Sequence, residues 1–266
     1  MTPFLQVPSL GGPSYLTQPS AVVPQLTATA YSNETYPGSN VTRTGFNFTW
    51  ESIPSVPTGG SGGRVILYVW TYRALSSKLT SVSNANTWYA SNTMTAGGNS
   101  MTYIGYTATS YNGTSAWIYN GDLSGDVVFA NSFPSNAGGE YASSLFVLDY
   151  ITSYSYNGDF YYANASNQYY SSYLNVTAPN LTGGTHALRA AFGTTSNSGT
   201  NPVYNKGVSE PTYTSLGSGD NGTDERNVTA YAFEANTTPV SMTGRCYSSD
   251  DANNGVSVGG VLLELK

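Results

Sequence analysis

The sequence contains very little of the chemistry on which metal sites and disulfide frameworks depend. Among 266 residues there is one histidine, His186, and one cysteine, Cys246. A single cysteine cannot form an internal disulfide, and a multi-His or Cys-rich zinc site cannot be assembled from these two residues. We therefore expect no resident metal and no cofactor. The chain is nevertheless long enough to bury a core without such supports.

Charged residues are also scarce. Asp, Glu, Lys and Arg make up only 9% of the chain, against roughly a quarter in an average soluble domain. Nine basic residues are balanced against 15 acidic ones, for a formal net charge of -6, and the basic residues form no run. Nucleic acids and anionic membranes are bound mainly through clustered Lys and Arg. The composition argues against both as partners and predicts a polar but uncharged surface.

Long hydrophobic runs are missing as well. No apolar stretch approaches the roughly 20 residues with which a helix spans a bilayer. The first residues, Met1–Leu5, carry no basic segment followed by a continuous apolar stretch, which is what a secretory signal peptide requires. We therefore expect a protein that does not leave the cell by ordinary secretion.

Residues 1–30 differ from the rest because prolines recur every five or six positions and no charge precedes Glu34. Proline disfavours both a helix and a central strand, so we predict an extended, polyproline-like arm. We expect this arm to dock on a neighbouring subunit or on another protein. The alternative is that the arm folds back on its own domain. The arm carries apolar side chains that need cover from water, and we assign them to partner binding: Phe4, Leu5, Val7, Leu10, Tyr15, Leu16, Val22 and Val23.

Residues 31–266 show the pattern of an all-β domain. Phe46, Phe48 and Trp50 alternate with polar residues, which is typical of a strand with one buried face. The run Val65–Trp70 is apolar throughout and indicates a central strand covered on both faces. A similar run occurs at Leu145–Leu148, and further strands are predicted near residues 79–83, 101–106, 116–119, 126–130, 173–177, 187–193, 228–234 and 257–265.

These eleven segments are separated by Gly, Asn, Ser and Pro, and none has the spacing of an amphipathic helix. A parallel sheet would need crossover helices. We therefore predict one antiparallel β-sandwich of the jelly-roll type after the arm.

Two stretches are too long for tight turns, residues 153–172 and 194–226, and we predict loops or small added hairpins there. Loops on a rigid sandwich commonly carry the binding surface. The first is rich in tyrosine, which gives a large contact area at little entropic cost and suits protein interfaces and sugar stacking alike. Ordinary packing is the alternative. We assign partner binding to Tyr154, Tyr156, Tyr161, Tyr162, Tyr169 and Tyr170.

Catalytic signals are weak. Gly217–Gly222 matches G-x-G-x-x-G, but no helix is predicted after it and its acidic surroundings would repel phosphate, so we predict a solvated loop. A calcium site there is a less favoured alternative. We expect His186 to be a strand-edge residue with an ordinary hydrogen bond rather than a catalytic base. Nothing singles out a glycosidase pair among the available carboxylates, and we predict a non-enzymatic protein. Those carboxylates are Glu140, Asp149 and Glu234.

Ten Asn-x-Ser/Thr sequons occur in the chain. About six would be expected by chance at this composition, and no signal peptide is visible, so we do not expect the sequons to be glycosylated. They begin at Asn33, Asn40, Asn47, Asn112, Asn164, Asn175, Asn180, Asn221, Asn227 and Asn236.

The order of core segments resembles a family of single jelly-roll modules found in bacteriophage structural proteins, both capsid decoration proteins and tail-associated proteins. The resemblance covers about residues 44–266, while the arm and the long stretches after Ile151 and Thr194 depart from it. The matching pieces are Gly62–Val69, Leu79–Val82, Met101–Tyr106, Gly125–Phe129, the strand through Leu148, His186–Gly193 and Val258–Leu265.

The resemblance implies a virion component, for which we expect the role of a capsid decoration or cement protein. Its partners would be the major capsid protein and further copies of itself in a homotrimer, at the virion surface after assembly in the host cytoplasm. One alternative is a tail or receptor-binding adhesin that holds host glycans in its long loops. Another is a filament subunit that donates its arm as a strand to a neighbour.

Overall fold

The architecture was obtained from a computed structural model. The structure describes residues 23–33, 45–58, 62–74, 90–108, 112–132, 139–156, 161–165, 173–177, 186–195, 203–205, 214–220, 226–235, 241–245 and 256–266. Eighteen strands lie in these ranges: β1 (Gln25–Asn33), β2 (Gly45–Ile53), β3 (Gly63–Ala74), β4 (Thr93–Ala96), β5 (Asn99–Ser100), β6 (Thr102–Ala108), β7 (Asn112–Asn120), β8 (Gly125–Ser132), β9 (Gly139–Ile151), β10 (Tyr154–Tyr156), β11 (Tyr161–Ala165), β12 (Tyr173–Thr177), β13 (His186–Thr195), β14 (Val203–Asn205), β15 (Thr214–Asp220), β16 (Arg226–Glu234), β17 (Ser241–Arg245) and β18 (Val256–Leu265).

These strands form four antiparallel sheets. Sheet 1 has the order β1-β9-β3-β7-β6, and sheet 2 has the order β2-β8-β4-β5. Sheet 3 has the order β10-β18-β13-β16-β15, with β11 also paired to β18, and sheet 4 has the order β12-β17-β14. The prediction of an antiparallel sandwich is therefore confirmed.

The strands follow a jelly-roll connectivity twice in succession. In the first half, sheet 1 places the last strand, β9, between β1 and β3, while β2, β8 and β4 lie side by side in sheet 2. In the second half, β18 lies in the same way between β11 and β13, while β12, β17 and β14 lie side by side in sheet 4. Within the region for which the sequence predicted one sandwich, residues 31–266, the strand pairing thus follows the jelly-roll order over residues 25–151 and again over residues 154–265.

Sheet 1 is the central layer because both of its faces are covered. In β3, Ile66, Tyr68 and Trp70 pack in the cluster that faces sheet 2. The alternate residues of the same strand, such as Val65 and Leu67, pack in the cluster that faces sheet 3. This arrangement confirms that the unbroken apolar run marks a strand buried on both faces.

Aromatic rings fill the space between sheets 1 and 2. The ring centroids of Tyr68 and Phe129 lie 5.0 Å apart, and those of Phe48 and Phe129 lie 5.6 Å apart. Phe129 is fully buried, whereas its neighbour in β8, Val128, is 48% exposed on the opposite face. The period of two in β8 therefore separates a packed face from a solvent face.

The two jelly rolls are joined by the apolar layer between sheets 1 and 3. Leu188 and Leu263 from the second half are fully buried against the first. Phe146 of β9 contacts Tyr231 of β16 edge to face, with ring centroids 5.7 Å apart. A buried apolar layer of this kind is typical of one packed core rather than of two loosely tethered domains.

Both halves end at the same pole of the molecule. Thr152 N–H donates to the Lys266 carbonyl at 2.7 Å, and Lys266 N–H donates to the Ser153 carbonyl at 2.8 Å. We call this end, where β9 and β18 finish, the basal pole, and the opposite end the apical pole. Because sheets stacked face to face keep similar strand directions, the apical ends of both jelly rolls lie on the same side.

Several boundaries differ from the sequence-based expectation. Residues 25–30, which were assigned to the arm, belong to β1 and pair with β9. The stretch 153–172 contains β10 and β11, and 194–226 contains β14 and β15. Of the eleven predicted strands, ten coincide with observed ones, and β12 covers Tyr173–Thr177 as expected. Residues 79–83 and arm residues 1–22 lie outside the described residues.

Candidate functional site

A buried ion pair organises the basal pole. Arg64, the second residue of β3, has no solvent-exposed surface. Its Nε donates to Asp149 Oδ1 at 2.7 Å and its Nη2 donates to Asp149 Oδ2 at 2.9 Å. Two parallel, charge-assisted bonds hold the guanidinium and the carboxylate in one plane. They link β3 to the end of β9.

The remaining guanidinium hydrogens bind backbone carbonyls. Nη1 donates to Pro54 O and to Leu123 O, both at 2.6 Å, and Nη2 donates to Ser55 O at 3.1 Å. An arginine side chain has five N–H donors, so all of them are used. The β2–β3 and β7–β8 connections are thereby fixed around the same cation as β9. We call Arg64, Asp149 and these three carbonyls the basal clamp.

The backbone next to the clamp adopts uncommon conformations. Tyr150, directly after Asp149, has φ of 63°, a region that non-glycine residues rarely occupy. Gly62 has φ of 110°, and a Cβ placed on it would lie 2.6 Å from the carbonyl carbon of Tyr150. Such conformations persist only where the surrounding structure over-determines them. The basal pole is therefore held in one geometry.

The arm joins the sandwich beside this clamp. Gln25, the first residue of β1, pairs in register with Asp149. Pro24 just before it is buried, and Val23 is 55% exposed. Of the arm residues assigned to partner binding, Val23 is the one that the structure describes, and it lies at the surface. The clamp thus fixes the strand next to the point where the arm enters.

A second polar group lies inside the sandwich toward the apical pole. The side-chain amides of Asn92 and Asn131 and the hydroxyl of Ser115 are buried without a hydrogen-bond partner. The Tyr103 hydroxyl is buried and unpaired as well. Burial, reinforced by neighbouring Tyr106, raises the pKa of the Tyr103 phenol well above its ordinary value. Unpaired buried amides are normally satisfied by ordered water.

The outer face of sheet 2 is polar and carries acidic but no basic side chains among its described residues. Asn47, Thr49 and Glu51 of β2 are exposed there, as is Thr93 of β4. Asp126 and Val128 of β8 are exposed on the same face. The two carboxylates make this surface unsuited to an anionic partner.

The tyrosines assigned to partner binding lie in strands where the structure describes them. Tyr154 and Tyr156 are half-buried in β10 and pack against the apolar layer between sheets 1 and 3. Burial, with a smaller effect from Tyr156, raises the pKa of Tyr154. Tyr161 and Tyr162 belong to β11 and pair with β18. Part of this tyrosine surface therefore serves internal packing. Tyr169 and Tyr170 lie outside the described residues.

The remaining motifs have structural placements. His186 begins β13 and stacks on Phe233, with ring centroids 5.7 Å apart. The first four residues of the glycine motif, Gly217–Asp220, form part of β15, so the prediction of a loop is wrong for them. Their pairing with β16 supplies the hydrogen bonds that a loop would leave to water. Cys246 lies outside the described residues.

The carboxylates considered for hydrolysis do not form a described pair. Asp149 is bound to Arg64 at both oxygens. Glu140 and Glu234 lie in β9 and β16. Within the ranges that the structure describes, no group of three or more His, Cys, Asp or Glu side chains is placed to hold a metal ion. No helix in those ranges has the length and apolar character needed to cross a membrane.

Sequence reasoning missed Arg64, although a signal for it exists. Arg64 is the sole charged residue between Glu51 and Arg73, and it directly precedes the apolar run of β3. A charge at that position must be paired if the strand is buried. Its partner could not be read from the sequence.

Comparisons with known proteins identify no family. No protein-family profile matches the chain, and no curated protein matches it. Among solved structures, the N-terminal CBM22-1-CBM22-2 tandem domain from Paenibacillus barcinonensis Xyn10C aligns over 91% of this chain and 93% of its own, with 8% sequence identity and a TM-score of 0.19. A similarity of that strength carries no argument about function.

Proposed function

We propose that this protein is a non-enzymatic virion structural protein, a capsid decoration or cement protein that bridges and stabilises neighbouring capsid subunits. The observation that carries the proposal is the difference between the two poles of the molecule. Residues 1–22, with their apolar side chains, precede the basal end of β1, which lies beside a buried clamp that fixes the local geometry. Jelly rolls are common in viral capsid proteins, which is consistent with this role.

A rigid base and an apolar arm suit mechanical bridging. Two linked contacts, one from the arm and one from the body, raise the overall affinity without further interface area. The arm residues Phe4, Leu5, Leu10 and Leu16 would bury their side chains on a neighbouring capsid subunit. Pressure on the shell would then have to break both contacts, and the packed layer between the two jelly rolls would transmit the load.

The proposed partners are the major capsid protein and further copies of this chain in a homotrimer at the virion surface, after assembly in the host cytoplasm. An obligate trimer would require each subunit to bury an interface in the range of known stable assemblies. Either the arm or the sandwich could supply this interface. The solution mass, measured with and without the arm, distinguishes the two.

The alternative is a tail or receptor-binding adhesin for host glycans. The exposed amide and hydroxyl groups of Asn47, Thr49 and Thr93 favour it, since such groups form hydrogen bonds with neutral sugars. Jelly rolls also serve as lectin domains. On this alternative the arm would be dispensable for binding.

The test compares the full chain with a version that begins at Val23, which keeps β1 intact. Both are measured by light scattering for solution mass and by co-sedimentation with capsid shells. We expect saturable shell binding by the full chain and loss of it without the arm. Replacing Phe4, Leu5, Leu10 and Leu16 with serine should reproduce that loss at full length. Binding of both versions to a host polysaccharide, with no shell binding by either, would support the adhesin instead.

A further inference from the structure

The sequons are unevenly distributed along the described strands. Six of the ten sequon asparagines lie in these strands, and five of the six fall within three residues of an apical strand end. The sixth, Asn175, is the middle residue of β12. The five apical positions, drawn from both jelly rolls, are Asn33, Asn47, Asn112, Asn164 and Asn227.

Asparagines at basal strand ends show the opposite pattern. Asn99 and Asn120 lie at or near the basal ends of β5 and β7, and neither begins a sequon. Asn92 and Asn131 lie near apical strand ends but are buried, and they are not in sequons either. Of the apical asparagines whose side chains are described, exposed Asn47 is thus the one in a sequon.

Asn47 is the acceptor with the most complete description. Its side chain is exposed, and so is that of Thr49, because residues two apart in a strand share a face. Asn47 lies beside Ala130 of β8 and Thr49 lies beside Val128, so the neighbouring side chains are small. Among the described strands β2 pairs with β8 alone, which leaves its other edge open.

We propose that the apical pole is a site of N-linked glycosylation, with Asn47 as a principal acceptor. The donor is an oligosaccharide carried on a polyisoprenyl phosphate or pyrophosphate. Transfer breaks the bond between sugar C1 and the phosphate oxygen and forms a bond between C1 and Nδ2 of Asn47. One amide proton leaves, and the polyisoprenyl phosphate or pyrophosphate is the leaving group.

A glycan at this position would meet two physical needs of the molecule. Open strand edges promote pairing with other chains, and proteins commonly protect them with Lys or Pro. Strand β2 contains neither. The surface is also poor in charge, and a hydrated oligosaccharide supplies solubility by other means. Because the glycans gather at the apical pole, they leave the basal pole and the arm free for a protein partner.

The test is peptide mass mapping of the protein from its native source. We expect the peptide that contains Asn47 to carry an oligosaccharide mass, and peptides that contain Asn99 or Asn120 to carry none. Protein made in the cytosol of a bacterium without an oligosaccharyltransferase provides the unmodified reference mass. An unmodified Asn47 in the native protein would overturn the proposal.

Variants expressed in a host that contains the oligosaccharyltransferase test whether the modification depends on the sequon itself. Thr49→Ala keeps Asn47 but destroys the sequon, whereas Thr49→Ser preserves it. We expect modification in the wild type and in Thr49→Ser, and none in Thr49→Ala or Asn47→Gln. Modification that survives in Thr49→Ala would reject the assignment, since the added mass would then not depend on the sequon. Because lipid-linked oligosaccharides are transferred on the non-cytoplasmic side of a membrane, a modified Asn47 would also require export of the chain, contrary to assembly in the host cytoplasm. Capsid binding by the arm is tested separately.

Discussion

Arg64 and Asp149 form a two-point ion pair that closes the basal pole, with Nε···Oδ1 and Nη2···Oδ2 distances of 2.7 and 2.9 Å. The two residues are 85 positions apart in the chain. Asp149 also lies opposite Gln25, where the arm becomes β1. One buried pair therefore connects a strand of the core, two connecting segments and the base of the arm.

Removal of either partner should strongly destabilise the fold. Arg64→Ala would leave the Asp149 carboxylate buried without its counter-ion and three carbonyls without a donor, and we expect a loss of about 3–5 kcal/mol in the free energy of unfolding. Urea unfolding measures it. Asp122→Asn, at an exposed position, is the matched control and should change stability by less than about 0.5 kcal/mol. Equal effects from both variants would contradict a structural role for the clamp.

The aromatic cluster between sheets 1 and 2 should depend on Phe129. Phe129→Ala removes a fully buried ring that contacts Tyr68 and Phe48, and we expect a loss of about 3–5 kcal/mol. Val128→Ala, one residue earlier on the solvent face, should cost less than about 0.5 kcal/mol. Thermal unfolding followed by near-ultraviolet circular dichroism reports both changes. Similar losses for the two variants would mean that β8 does not have the observed alternation.

The two jelly rolls should unfold as one cooperative unit. A double-mutant cycle of Phe146→Leu and Tyr231→Leu should give a coupling free energy of about 0.5–1.5 kcal/mol, because the rings contact edge to face. Calorimetry of the wild-type protein should show one transition. Two separate transitions with zero coupling between these positions would show that the halves are independent.

Stability should fall at alkaline pH through Tyr103. Burial raises its pKa in the folded state, whereas the unfolded chain titrates near the ordinary value of about 10. Above that pH the folded state binds more protons than the unfolded state, so the free energy of unfolding decreases as pH rises. Tyr103→Phe should remove this decrease in the free energy of unfolding at alkaline pH, because phenylalanine does not ionise.

Denaturant titrations of wild type and Tyr103→Phe at pH 7 and at high pH measure this effect. The variant should be nearly neutral or slightly stabilising at pH 7, because the Tyr103 hydroxyl is buried without a partner. Its advantage over the wild type should then increase above about pH 10. An unchanged difference between the two proteins at both pH values would show that Tyr103 titrates as it does in the unfolded chain.

Local patterns predicted much of the strand content. The unbroken apolar run of β3 indicated burial on both faces, and the alternation in β2 indicated burial on one. The signal was weaker in the second half, where Tyr, Asn and Ser replace aliphatic residues. There the stretches that contain β10, β11, β14 and β15 were predicted as loops or small added hairpins, and the strand pairing could not be predicted because it depends on partners in other strands. β1 was missed because the preceding prolines dominate the local pattern.

Less of the candidate site than of the strand content could be predicted from the sequence. The arm and its apolar residues stood out by composition, and their assignment to partner binding stays a prediction; Val23, the one of them that the structure describes, is exposed. Tyr154 and Tyr156 have the composition of a binding loop, yet they pack against the apolar layer between the halves. Whether a tyrosine faces a partner or its own core depends on which strand lies beside it. That information is not local.

The sequence by itself determined the all-β sandwich class of the fold and the lack of any run of basic residues, because these follow from composition and from periods of two residues. The tertiary structure alone decided that the strands follow the jelly-roll order twice, that sheets 1 and 3 pack through a common apolar layer, and that Arg64 meets Asp149. Each of these depends on pairings between strands far apart in the chain, and such pairings are selected by the packing of the whole molecule.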